Sequence, residues 1–334
     1  MKILAFGEVM MRMMPPNYKT LIQADTLEFL FTGTGMNILS SLYQMGDQGC
    51  LVTRLPDNSV GKAASAHMRK LGIHDDYVVY GDNHIGIYFL EQGIGNRASE
   101  VTYLNRKDSS FGLSQLSDYN FDCLNDMDAL HICGISLALN EHLRKIALTF
   151  AKEAKKRNVK VIFDCNFRPS LWTHSGKDQM KEIYEEMFYM ADIVFAGIKD
   201  AKLLDKKIDS SLSDIEQIKD VCNQMSHDYQ IEALFGTIRN TENHVFTLSG
   251  YMYKDNQFLV SPCYELTIFD RIGAGDGFAA GAIHGYFSKM DPLFLIQYAT
   301  VSGLLAHTTY GDSPILSKDI ILDFMKNGAT LLKR

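Results

Sequence analysis

Short apolar runs alternate with amphipathic stretches of helical length along most of this chain. That alternation limits the fold more than any other feature. Ile3–Phe6, Cys50–Thr53, Ala129–Cys133, Val159–Asp164, Ile193–Ala196 and Ile231–Phe235 read as strands. Between them Asn37–Met45, Gly61–Leu71, Glu141–Arg157, Asp178–Met190 and Leu212–His227 carry helical periodicity. Strands separated in this way by helices predict βαβ units, hence an α/β fold with a mainly parallel sheet. Continuous apolar runs such as Val161-Ile162-Phe163 suit strands covered on both faces. A length of 334 residues admits one large domain or two ordinary ones.

Two segments break the rhythm. Arg12–Thr32 is mixed and holds Pro15-Pro16; Val78–Ser110 holds the apolar pieces Ile85–Leu90 and Val101–Leu104 separated by Gly93, Gly95 and Asn96. Both read as short antiparallel strands outside the main alternation. Together they form either a small sheet projecting as a lid or a pair of surface hairpins with no functional motion. A further hairpin is expected over Val245–Val260, turning at Lys254-Asp255-Asn256.

The formal net charge of −7 argues against a general nucleic-acid binder, which needs a basic footprint. The opening MKILAFGEVM lacks a secretory signal pattern, and Glu8 interrupts its apolar run. Pro292–Gly311 carries no Asp, Glu, Lys or Arg, yet its Gln, Ser, Thr and His residues favour a buried helix over a membrane span. The cysteines show no CxxC pair and no zinc spacing, as in a reducing compartment, so a cytoplasmic protein is expected.

The segment Asp270-Arg271-Ile272-Gly273-Ala274-Gly275-Asp276 follows an apparent strand and runs into a helix rich in Gly and Ala, expected over Gly277–Phe287. Gly273 and Gly275 free the backbone N–H groups to face an anion where the helix dipole favours negative charge. Asp276 is placed to take a proton from an attacking hydroxyl, so the segment offers both parts that phosphoryl transfer needs. The plainer alternative is a tight turn with Asp276 as an N-cap.

This segment resembles the DTxGAGD signature of the ribokinase-like (PfkB) carbohydrate kinases, with Arg271 and Ile272 where Thr is common. The resemblance extends over most of the chain. Gly33-Thr34-Gly35-Met36-Asn37 is similar to the family's N-terminal GGxxxN element, and Gly46, Gly61 and Leu71-Gly72 match later positions. It implies a three-layer αβα sandwich as a single domain over residues 1–334, with a β-sheet lid from about 12–32 and 78–110. It implies ATP and Mg²⁺, Asp276 as catalytic base, and an anion hole from Gly273, Ala274, Gly275 and Asp276. Gly33 and Asn37 then contact the substrate. No magnesium site is displayed by any motif, so the metal ligands stay unassigned. A homo-oligomer is expected, with the lid as a candidate contact.

Asp164-Cys165-Asn166-Phe167-Arg168-Pro169-Ser170-Leu171-Trp172 resembles the DxNxRxxLW stretch of 2-keto-3-deoxygluconate kinases and close fructokinase relatives. The planar fork of Arg168 suits a substrate carboxylate or phosphate; the alternative pairs it with a nearby Asp while Trp172 merely packs. Gly86–Glu91 resembles the TGxYFLE strand of that subgroup, placing Tyr88 either against the sugar acid or in sheet packing. Val101–Arg106 resembles its YxR element and carries over Arg106, but Tyr103 stands three residues before the arginine where the pattern has two. Two arginines favour a sugar acid such as 2-keto-3-deoxygluconate as acceptor.

On the nucleotide side, Ala196-Gly197-Ile198-Lys199-Asp200 stands where the family has N-x-x-E, and Gly236-Thr237-Ile238-Arg239-Asn240 replaces the LGxxG turn. Asn166, Thr237, Arg239, Gly273, Gly275 and His307 are the nucleotide-binding candidates. Thr237 and Arg239 also fit an ordinary turn, and His307 also fits a satisfied interior histidine. A fructokinase, ribokinase or sugar-phosphate kinase, and more distantly a non-catalytic sugar-binding regulator, remain alternative readings. A nicotinamide dehydrogenase is set aside, because Gly7-Glu8-Val9 after the first strand contains no GxGxxG.

Overall fold

Lys2–Phe6 (β1) pairs in parallel with Gln48–Leu55 (β4) on one side and Ala129–Cys133 (β9) on the other, so the first strand lies inside the sheet. Lys160–Asp164 (β10), Ile193–Phe195 (β11) and Ala233–Glu242 (β12) continue the parallel array. The computed structural model describes residues 1–172, 176–242 and 245–329. Val245–Lys254 (β13) and Gln257–Val260 (β14) form the expected antiparallel hairpin at one edge. Ile73–His74 (β5) and Val78–Tyr80 (β6) pair with β4 at the other edge.

Successive residues of β1 enter opposite cores, as strand geometry requires. Leu4 and Phe6 pack with Glu141–Lys156 (α4), Lys177–Phe188 (α5) and Asp214–Tyr229 (α7). Ile3 and Ala5 pack with Thr34–Gln44 (α1), Ser59–Lys70 (α2), Ala274–Phe287 (α8) and Pro292–Ala306 (α9). The result is the anticipated three layers. Short helices Gly134–Leu139 (α3) and Ile198–Leu203 (α6) follow β9 and β11, and Lys318–Asn327 (α10) closes the described chain. The uncharged stretch forms α9, whose central residues Tyr298–Val301 are fully buried.

The second sheet holds Met10–Met14 (β2), Glu28–Thr32 (β3), Gly86–Glu91 (β7) and Glu100–Leu104 (β8) in the order β3-β2-β7-β8. It corrects the expected pattern twice. β2 and β7 pair in parallel, because each is the inner strand of its own hairpin and the two hairpins leave the main body in the same direction. Val78–Tyr80 belongs to the main sheet, where it pairs with Thr53–Leu55. All five residues of β8 are exposed, whereas β2 alternates buried and half-buried residues.

Two element boundaries also move. β12 continues past Phe235 because its partner β13 extends it, so Thr237 and Arg239 lie on a strand opposite Gly250 and Leu248 rather than in a turn. Helix α8 starts at Ala274, which puts Asp276 inside its first turn.

His131, at the centre of β9, is fully buried with both ring nitrogens lacking a partner among the described residues. Desolvation holds its pKa down at about 4. The unfolded chain therefore binds a proton that the fold refuses, and stability is lost as pH falls below 6.5 toward 4. We expect the difference in unfolding free energy between pH 7 and pH 5 to shrink by about 2 kcal/mol in His131→Leu, read from urea denaturation. An unchanged pH dependence refutes it.

Candidate active site

The C-terminal edge of the parallel sheet opens into a cavity of about 760 Å³. Ligands of α/β sheets bind there because the strand ends leave loop and backbone groups free. From the lid Tyr88, Tyr103 and Arg106 line it; from the main body Asp164, Arg168, Thr237, Arg239, Arg271 and Asp276 do.

Helix α8 supplies the centre of the site. Gly273 is its N-cap in the left-handed region at φ 81°, and a Cβ there would lie 1.8 Å from the Asp312 carbonyl oxygen. Only glycine fits such a turn. The first N–H groups of an α-helix have no intrahelical acceptor; here Gly277 N–H is the first to find one, Gly273 O at 2.8 Å. A Cβ at Gly275 would meet nothing, so the opening turn faces free space. Ala274 is buried, with its side chain away from the cavity lining.

Asp276 is not the N-cap. Its Oδ2 accepts a hydrogen bond from Asn37 Nδ2 at 2.7 Å. Burial pushes its pKa up to about 8, a shift opposed by that hydrogen bond, reinforced by Asp164 and Asp312, and opposed again by Arg168. Asn37 stands in the first turn of α1, whose N-cap Gly33 touches the chain closely: a Cβ on it would come within 2.0 Å of Glu8 O. Asn37 Oδ1 accepts from Ser313 Oγ at 3.0 Å, which fixes the amide with its NH₂ toward Asp276.

Asp164 and Asp200 form a second acidic group. Burial raises Asp164 to about 7, with Asp200 adding to the rise and Arg168 opposing it. Burial raises Asp200 to about 6 against the N–H of Gly197, which donates to its Oδ2 at 2.8 Å. Asp200 Oδ1 is buried without a hydrogen-bond partner among the described residues. No group of three or more metal-ligating side chains clusters among the described residues. Hard oxygen donors with spare lone pairs nevertheless suit Mg²⁺, which keeps much of its water and binds proteins through one or two carboxylates.

Arg168 is exposed just before the Pro169–Leu171 turn and makes no ion pair within 4 Å among the described residues. Trp172 does pack, against Tyr184 and under the Arg144 guanidinium. Asn166 adopts φ 36° and turns its N–H to Asp164. Arg106 is committed through Nε to Glu8 at 2.7 Å while its guanidinium carbon lies 5.1 Å from the Tyr103 ring centre. Tyr103 thus joins the cavity despite its offset spacing. Tyr88 lines the cavity too, but its hydroxyl donates to Asp312, which raises its own pKa further than burial alone. Arg239 and Arg271 also stand without carboxylate partners among the described residues, and desolvation, then the like charge of Arg271, lowers the Arg239 pKa. His307 is corrected: it is buried, its Nδ1 meets Gly303 O at 2.8 Å, and it does not line the cavity.

Sequence reasoning overlooked Glu8, Arg12, Asp200 and Asp312 as site residues. Asp312 accepts from Arg12, Tyr88 and, at 2.8 Å, Thr32. A signal existed for Arg12, the lone charge in the apolar strand Met10-Met11-Arg12-Met13-Met14.

Known proteins share the fold and sequence pattern of this chain. The profile of the pfkB family carbohydrate kinases matches residues 1–319. The 2-dehydro-3-deoxygalactonokinase of Haloferax volcanii is 24% identical over 328 residues, 98% of this chain and 97% of that protein. The 2-dehydro-3-deoxygluconokinase of Bacillus subtilis is 23% identical, covering 92% and 90%. Among solved structures, one from Enterococcus faecalis, itself only provisionally assigned as a 2-keto-3-deoxygluconate kinase, superposes with a TM-score of 0.96 at 40% identity, covering 100% and 99%. The 2-dehydro-3-deoxygluconokinase of Thermotoga maritima gives 0.92 at 31%, covering 98% of each chain.

Removing the Asn37 amide takes away a side-chain hydrogen bond to the Asp276 carboxylate that holds its pKa down. In Asn37→Ala the Asp276 pKa is expected to rise above that of the unsubstituted protein, followed by carboxyl-carbon NMR titration. A value at or below the original excludes that role for Asn37.

Proposed function

The chain belongs to the pfkB family of carbohydrate kinases and is a phosphotransferase acting on a sugar with ATP; from this premise we propose that its acceptor is 2-keto-3-deoxygluconate, converted to the 6-phosphate. The observation that carries the acceptor class is Arg168, which has no ion-pair partner among the described residues and lines the same cavity as Asp276. A guanidinium without a carboxylate partner is ready for a substrate carboxylate. Relatives named for 2-dehydro-3-deoxygluconate and 2-dehydro-3-deoxygalactonate support the same acid class.

In this reading Asp276 takes the proton of the acceptor hydroxyl while its oxygen bonds to the γ-phosphorus. The bond from that phosphorus to ADP breaks in the same displacement. The amides of the Gly273–Asp276 turn receive the charge that develops on the phosphoryl oxygens. Arg239, Arg271 and Thr237 hold the polyphosphate, and Asn166 borders it. Asp164 and Asp200 would hold Mg²⁺ through its water shell, and the ion when bound neutralises phosphate charge. An Asp276 carboxyl at about 8 is mostly protonated at pH 7, so in this reading turnover rises with pH as the carboxyl ionises.

Asp276→Asn is expected to lower kcat by roughly 10²–10⁴-fold with small changes in substrate affinity. Near-normal turnover removes Asp276 from this role. Arg168→Ala is expected to raise KM about tenfold for an acid acceptor and little for a neutral sugar, the usual worth of a charge-assisted hydrogen bond. A panel holding both 2-keto-3-deoxy epimers, fructose, ribose and sugar phosphates, read by ADP release, decides the acceptor. Faster turnover of a neutral sugar overturns the acid assignment.

A further inference from the structure

We infer that Arg12 is a positioning residue for phosphoryl transfer, clamping the root of the lid to the turn that opens helix α8. The inference rests on the assignment of that helix start as the phosphoryl site. Arg12 lies on lid strand β2, and its side chain is fully buried. Arginine is rarely buried this completely unless its charge is met. Here two carboxylates meet it: Nη2 donates to Asp270 Oδ2 at 2.8 Å, and Nη1 donates to Asp312 Oδ1.

Each carboxylate governs a separate piece of the site. Asp270 Oδ1 accepts the N–H of Ile272 at 3.1 Å, and the Asp270 and Phe269 amides both donate to His307 O. Asp270 thereby shapes the turn that ends in the left-handed Gly273. Asp312 abuts that same Gly273 through its backbone and accepts the hydroxyls of Thr32 and Tyr88 on its other oxygen. Thr32 Oγ1 lies 3.2 Å from Asn37 Oδ1, and Asn37 holds Asp276. One guanidinium thus ties lid strand β2, and through Asp312 also Thr32 of β3 and Tyr88 of β7, to the turns beside the helix start.

The chemistry of the clamp favours geometry over stability. Taking an arginine and two carboxylates out of water is costly, and apolar side chains of like volume often serve stability as well. What apolar packing lacks is the planar fork that fixes two acceptors at set angles, a property lysine lacks too. Neither Arg12 nor Asp270 lines the cavity, so neither touches acceptor or nucleotide. Their influence is on where the lid and the helix amides stand relative to one another. An ångström of misplacement at reacting groups costs about 10²-fold in rate.

The test compares Arg12→Lys, Asp270→Asn and the double variant in the full-length enzyme. Steady-state kinetics are measured in both substrates, with the melting temperature as a check on folding. We expect each single variant to fold and to lose about 10²-fold in kcat, with both KM values within about threefold. The double variant is expected to lose no more than the worse single one, because both break one clamp. Wild-type kcat in folded variants, a loss confined to KM, or losses that multiply in the double variant overturn the proposal. Failure of both single variants to fold assigns the cluster a purely structural role and also overturns it. Asp276→Asn assayed in parallel separates the two claims: normal turnover there removes the base assignment, while the clamp stands or falls on its own kcat.

Discussion

Water is kept away from Asp276, and the rest of the site is arranged around that fact. A desolvated carboxyl with Asp164 and Asp312 for neighbours resists ionising. The chain answers with one oriented amide, from Asn37, and one arginine at a distance, Arg168. Asn37 in turn depends on Ser313 and on the entry of α1, where Gly33 passes so close to Glu8 that no side chain fits. The same burial makes the carboxyl sensitive to any charge placed near it.

The arginines divide into two kinds. Arg12 and Arg106 are buried and spent on carboxylates, Arg12 on Asp270 and Asp312, Arg106 on Glu8. They hold the lid in register with the body. Arg168, Arg239 and Arg271 line the cavity without ion-pair partners among the described residues. This division explains how a chain of net charge −7 accommodates polyanionic ligands: attraction comes from a few placed guanidinium groups and a helix start, with no need of a basic surface.

Much of this was legible before any coordinates. Hydrophobic runs at βα spacing foretold the parallel sheet, and Gly273-Ala274-Gly275-Asp276 foretold the helix start at its edge. The errors have physical causes. β12 was cut short at Phe235 because its continuation is polar and exposed, and only pairing with β13 holds it extended. The lid was read as wholly antiparallel because sequence proximity suggests hairpins, whereas the parallel contact of β2 with β7 joins strands far apart in the chain. His307 is a nucleotide candidate only through the resemblance of its helix and Gly-Asp turn to the family's, and the structure favours the interior alternative, with Nδ1 meeting Gly303 O.

The sequence by itself determined the layers and the place of the functional edge. Periodicity and a glycine pattern are local properties, and each follows from backbone sterics within a few residues. Only the tertiary structure decided which charges are spent and which are free. Arg12 meets partners 258 and 300 residues away, and Asn37 meets Asp276 across 239. Pairings of that span depend on how layers pack and on how much water they expel. No window of sequence contains those pairings: Glu8 and Asp312 carry no local signal, and the lone charge of Arg12 in its strand does not name its partners.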